Sequence, residues 1–141
     1  MKLRPILIVI TSLVVLVGCA GHSDYSIDLP GNYSIVKTSS HNVVISPQKD
    51  GVWKSSVIPA KVVEVAGNHQ YIIAKQAKLK DDPETESDYL VPDKNNYNFW
   101  ILEIETANVI GPLNNKDFKK KREELKIPED IVLKEVEELN K

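Results

Sequence analysis

Residues 97–106 read YNFWILEIET, a run whose extended form puts Tyr97, Phe99 and Ile101 on one face and Trp100, Leu102 and Ile104 on the other. A strand that is apolar on both faces must be covered on both, which places it in the interior of a sheet. The sequence around it supplies partners. Residues 25–29 alternate apolar and polar, Pro30-Gly31-Asn32 suits a type II turn, and residues 33–38 return as a hairpin partner. Residues 42–46 form a β-branched run stopped by Pro47 and the Asp50-Gly51 turn pair, after which residues 52–58 resume as a strand. Residues 61–66 and 70–76 flank Gly67-Asn68, a second hairpin signal.

Gly111-Pro112 reads as the end of this pattern. Asn114 with Asp117 three residues on approximates a capping box for a helix through Leu125, with Phe118, Arg122 and Leu125 on one stripe. Beyond Pro128 the apolar residues Ile131, Leu133 and Val136 fit neither period cleanly. The propensities of Lys134, Glu135, Glu137 and Glu138 favour helix, with a terminal strand left open. The expected class is α+β, an antiparallel β-sheet meander with one or two C-terminal α-helices, preceded by a signal-peptide helix.

That leading helix follows from the N-terminus. Lys2 and Arg4 form a positive region ahead of an apolar run at residues 6–17, the length of a signal-peptide core. Residues 6–20 offer fifteen positions before His22, Ser23 and Asp24 turn the chain polar, short of the ~20 a transmembrane helix needs. The run ends in Leu16-Val17-Gly18-Cys19, which resembles the lipobox of bacterial lipoproteins. The resemblance implies cleavage between Gly18 and Cys19 and a diacylglyceryl group on the Cys19 sulfur, with the new N-terminus open to acylation. It also implies a site on the extracytoplasmic face of a bacterial membrane. Ala20 stands after Cys19 where an Asp would resemble the inner-membrane retention signal of some Gram-negative bacteria, which leaves an outer membrane open. Two acyl chains suffice for stable anchoring, each buried CH2 adding about 0.8 kcal/mol. Cys19 is the sole cysteine, so no disulfide forms within the chain. The expected division is a signal peptide at 1–18, a lipidated tether at 19–24 and one domain at 25–141.

Charge narrows the function classes. Eighteen Lys and Arg against twenty Asp and Glu give −2, and removing Lys2 and Arg4 with the signal leaves −4, so no basic field points to nucleic acid. Asp81, Asp82, Glu84, Glu86, Asp88 and Asp93 crowd one segment. The alternation of Asp82, Glu84, Glu86 and Asp88 could present oxygens to calcium or face a partner, but the EF-hand positions for Gly and Glu hold Glu86 and Pro92. A solvated loop accounts for the same residues. Lys116, Lys119, Lys120, Lys121, Arg122 and Lys126 form the one basic cluster and could touch headgroups or wall phosphates. Asp117, Glu123 and Glu124 dilute it into a helix face laced with i,i+4 pairs.

His22, His41 and His69 lie far apart, in the tether or in turns, so no metal is assigned, and the covalent lipid on Cys19 is the one group expected. No G-x-S-x-G elbow or phosphate loop occurs. Glu103 and Glu105 share a strand face, as paired acid/base carboxylates would, yet a strand emerging into solvent explains them equally. No catalytic residue is assigned and an enzyme is not expected.

A second resemblance is carried by residues 27–33 (IDLPGNY), residues 97–102, and Gly111-Pro112-Leu113 followed by Phe118, Arg122 and Leu125. Through these the mature chain resembles a family of small bacterial lipoproteins with no assigned activity, across most of residues 25–133. The expectation is a membrane-anchored binding module of the cell envelope with a protein partner. The alternatives are an immunity-type or inhibitor lipoprotein, for which the acidic segment suits a basic target cleft, and a small hydrolase without a recognisable motif.

Overall fold

The computed structural model describes residues 24–141, so the signal segment, Gly18, Cys19 and the tether as far as residue 23 lie outside the described residues. The elements in order are β1 (Tyr25–Leu29), β2 (Tyr33–Lys37), β3 (Val43–Lys49), β4 (Val52–Trp53), β5 (Val62–Gly67), β6 (Tyr71–Asp81), β7 (Leu90–Glu103), β8 (Asn108–Leu113), α1 (Asn115–Glu124), β9 (Lys134–Glu135) and α2 (Val136–Leu139). All pairings are antiparallel and the class is α+β, but the expected single meander is divided into two sheets. One runs β1-β2-β3-β4 and the other β8-β7-β6-β5-β9.

Strand parity builds three layers from this. On β6 and β7, Ile72, Ala74, Trp100 and Leu102 face the first sheet, where they meet Ile35, Ile45 and Ile58. The intervening residues Ile73, Phe99 and Ile101 face the other way and meet Phe118, Ile127 and Ile131. The second sheet is thus covered by the first sheet on one side and by α1 with the tail on the other. This is what the two-faced apolar run requires. On β5 a bulge between Val62 and Glu64 shifts the alternation by one, so Val62 and Val65 both enter the core between the sheets.

Several sequence signals are resolved differently by pairing. Gly111-Pro112 does not end the sheet: it is a bulge inside β8, with two residues opposite Trp100 between the pairs Ile101↔Ile110 and Phe99↔Leu113. Pro47 does not end β3, since it lies where β3 passes from its last β2 partner, Tyr33, to its first β4 partner opposite Gln48. The strand expected at 52–58 is two residues of β4 and a single bridge from Ile58 to Ile45. Residues 30–32 form a 3-10 turn, with positive φ at Gly31 and Asn32, rather than a type II turn. β6 and β7 run past the expected ends at 76 and 97, and a bulge of Asp93-Lys94-Asn95-Asn96 absorbs the polar residues that read as loop.

The helix agrees closely with its signals. Asn114 is the N-cap, its Oδ1 accepting from the Asp117 amide at 2.8 Å, and Leu125 is the C-cap. The tail carries both of the outcomes its sequence left open: β9 pairs with Glu64 and Val65 of β5, and four residues of α2 follow as a second C-terminal helix. Among the described residues no helix is long and apolar enough to cross a membrane.

Candidate functional site

The two sheets leave a groove at the end where the described chain begins. Tyr25 opens β1 and stands opposite Lys37, the last residue of β2, whose Nζ lies 5.1 Å from the centroid of its ring. β5 begins at the same end, and its outer edge is paired by β9 only at Glu64 and Val65. Past that pair the chain turns into α2, whose Val136 anchors in the core between the sheets. The space left between the hairpin, the start of β5 and α2 is about 200 Å3, with Lys61, Glu135 and Glu137 on its walls.

Its charges divide into satisfied and unsatisfied sets. Lys75 Nζ lies 3.0 Å from Glu64 Oε1 and 4.4 Å from the centroid of the Tyr97 ring, closing one wall. The half-buried Lys37 and Lys61 have no carboxylate within 4.0 Å among the described residues, and Glu135 and Glu137 have no cation within that distance. Beneath this wall Gln76 is buried in a closed network. Its Nε2 donates to the Ala60 carbonyl at 2.6 Å and its Oε1 accepts from Trp100 Nε1 at 2.8 Å and from Asn98 Nδ2 at 3.4 Å. That network holds the start of β5 and the wall of the groove in one arrangement.

The Tyr25 phenol reports on the groove electrostatically. Partial burial, and after it the carboxylate of Glu137, raise its pKa above the ordinary tyrosine value. Below about pH 10 the phenol is neutral in both folded and unfolded chains and contributes nothing to pH dependence. Above it the unfolded chain ionises first, so stability falls as pH rises. Ultraviolet titration of Glu137→Gln is expected to return the phenol toward the ordinary value. An unchanged titration would show that Glu137 does not act on it.

The residues singled out by the sequence are placed elsewhere. Asp82, Glu84, Glu86 and Asp88 lie on the tip between β6 and β7, while Asp81 ends β6 and Asp93 belongs to β7, 3.7 Å from Lys80. Asp82 Oδ1 accepts from the Glu84 amide at 2.9 Å, and Thr85 and Ser87 hydrogen-bond each other. Among the described residues no three His, Cys, Asp or Glu side chains gather as metal ligands, so the alternation in sequence does not converge on a calcium site. Glu105 lies beyond the end of β7, so it does not share a strand face with Glu103, which accepts from Thr106 and Asn108.

Three of the six residues of the basic cluster are taken up by the fold. Arg122 donates to the carbonyls of Pro128 and Ile131 at 2.8 and 2.9 Å, fastening the tail to α1, and Lys120 and Lys121 both lie against Glu124. His41 lies in the bend between β2 and β3 as expected but is half-buried, its ring 5.6 Å from that of Tyr89 at the acidic tip, with Nδ1 lacking a hydrogen-bond partner. That contact puts the acidic tip at the same end of the molecule as Tyr25.

Sequence reasoning missed Lys37, Lys61, Glu135 and Glu137. The hairpin register alone would have set Lys37 against Tyr25, since a turn at 30–32 pairs the two ends of the hairpin. Nothing local marks Lys61 or the two glutamates. A family model described as protein of unknown function (DUF3997) matches residues 30–137, a span that includes every strand but β1, α1 and these four residues but not Tyr25. No curated protein and no solved structure matches the chain.

Proposed function

Because the chain belongs to the DUF3997 family, whose description assigns no activity, we propose from its own residues that it is a lipid-anchored, extracytoplasmic binding module of the cell envelope. The observation that carries this reading is the lipobox-like Leu16-Val17-Gly18-Cys19 ending six residues before the first strand. Six residues reach about 20 Å at full extension, so a lipid on Cys19 keeps the Tyr25 end of the domain at the bilayer surface. A module held there meets partners at the membrane, and the groove beside Tyr25 is the concave polar feature it presents to them.

Two measurements test this. Labelled palmitate is expected to enter the wild type and not Cys19→Ala, and equal labelling sinks the anchor. In-cell crosslinking of the tagged protein, with Cys19→Ala as the unanchored control, is expected to yield a partner seen only with the anchored form. The same partners with and without the anchor, or none, count against an envelope binding module.

A second reading, an inhibitor of a basic lytic enzyme or toxin, is favoured by the β6–β7 tip, where Tyr89 and Leu90 are 54% and 43% exposed beside the four carboxylates. Under that reading the combined change Asp82→Asn, Glu84→Gln, Glu86→Gln and Asp88→Asn abolishes the crosslink. Under the first it leaves the crosslink intact.

A further inference from the structure

We propose that the groove beside Tyr25 binds the zwitterionic phosphoethanolamine headgroup of a phospholipid, Lys37 and Lys61 taking the phosphate and Glu135 and Glu137 the ammonium. The proposal deepens the envelope-binding reading and rests on it for the membrane source of the ligand; the site itself is tested independently of that source.

Charge complementarity comes first. Half-buried Lys37 and Lys61 without partners cost folding free energy, and such charges are retained where a ligand completes them. The exposed Glu135 and Glu137 stand on the rim of the same groove: the two cations have no carboxylate within 4.0 Å, and the two carboxylates no cation, among the described residues. A lone anion would satisfy half of this set and a lone cation the other half. A small zwitterion satisfies both.

Size and position agree. About 200 Å3 holds a headgroup, and Tyr25, Lys37 and Glu137 also border an adjoining space of about 420 Å3 that leaves room for the rest of the lipid. The groove opens at the end that a lipid on Cys19 would hold at the bilayer, and Tyr25 and Tyr97 beside it are of the residue type that sits at headgroup level.

The acidic tip decides which headgroup is admitted. It lies at the same end, because Tyr89 packs on His41 in the connection from β2 to β3, just beyond Lys37. Its carboxylates repel an anionic surface over the ~8–10 Å within which salt leaves charges unscreened. The combination selects a zwitterionic surface over an anionic one.

The test uses the full lipidated protein in non-ionic detergent, titrated with glycerophosphoethanolamine and followed by the backbone amide resonances of Lys37, Lys61 and Glu135. Saturable shifts are expected. The pair Lys37→Gln/Lys61→Gln and the pair Glu135→Gln/Glu137→Gln should each weaken binding about tenfold or more, as expected for loss of a charged hydrogen-bond partner. Lys37→Arg/Lys61→Arg should retain binding, which separates loss of charge from loss of fold, and Lys119→Gln on α1 should change nothing.

No saturable shift, or inorganic phosphate or ethanolamine alone matching the ester, overturns the zwitterion site. In lipid nanodiscs, the amide resonances of Lys37 and Lys61 should show the same shifts with phosphatidylethanolamine but not with phosphatidylglycerol. Binding of the soluble ester without those shifts overturns the lipid as its source. Failure of palmitate labelling at Cys19 overturns the envelope reading and leaves the titration standing.

Discussion

Phe118→Ala is expected to cost about 3–5 kcal/mol and to release α1 and the stretch 125–131 after it from the second sheet while the two sheets stay folded on each other. Phe118 is the one buried side chain of α1, 3% exposed, and it stacks on Phe99 with ring centroids 4.8 Å apart. It also lies in the same core as Ile73, Ile101, Ile127 and Ile131. A helix of ten residues is marginal alone in water, so without this contact α1 has little to hold it. The clamp from Arg122 to the Pro128 and Ile131 carbonyls ties residues 128–131 to the helix, so this stretch should leave with α1, while β9 stays paired with β5. Hydrogen exchange should show amides 118–127 losing protection while those of Ile72 and Ala74 keep theirs. A loss under about 1 kcal/mol by denaturant titration, or uniform loss of protection, would refute the two-core description.

Gly111→Ala is expected to cost about 3 kcal/mol through overpacking in a bulge that cannot relax. A Cβ at Gly111 would stand 2.5 and 2.8 Å from atoms of the Trp100 ring and 3.0 Å from the Phe99 carbonyl oxygen, and φ there is +151°. The ring cannot withdraw freely, because its Nε1 donates to Gln76 at 2.8 Å and Gln76 is tied to Ala60. In a Trp100→Leu background the clash partner is gone, so the same substitution should cost markedly less. Equal costs in the two backgrounds, measured by denaturant titration, would place the penalty in the backbone alone. Trp100→Leu also removes one of the partners of Gln76 Oε1, so its own cost reads the network that braces the start of β5.

What was legible in the sequence depended on how local the cause was. The cap at Asn114, the Gly67-Asn68 turn and the Asp50-Gly51 turn each arise within a few residues, and each appears where expected. The alternation of Phe99 and Ile101 against Trp100 and Leu102 also held, because strand parity needs no knowledge of the partner. Gly111-Pro112 was misleading for the opposite reason. Glycine and proline end a strand or bend one, and only the pairing of Ile110 with Ile101 and Leu113 with Phe99 decides between them. The polar run 93–96 poses the same choice, and pairing of β6 with β7 on both sides of it makes it a bulge.

The candidate site was legible only in part. The carboxylates Asp82, Glu84, Glu86 and Asp88, close in sequence, do not gather as metal ligands, because they lie in turns and bends past the end of β6 and not on one strand face. Lys37, Lys61 and Glu137, distant in sequence, meet at one groove.

By itself the sequence determined what local chemistry controls: strands with a known inward face, turns where glycine and asparagine tolerate positive φ, and one capped helix. The tertiary structure alone decided that the strands form two sheets rather than one. It also decided that β9 covers only part of the β5 edge, and that unpaired charges of both signs line the gap. These are long-range outcomes: which edge pairs with which, and what space remains, depends on burying both faces of β6 and β7 at once, a condition no single segment carries.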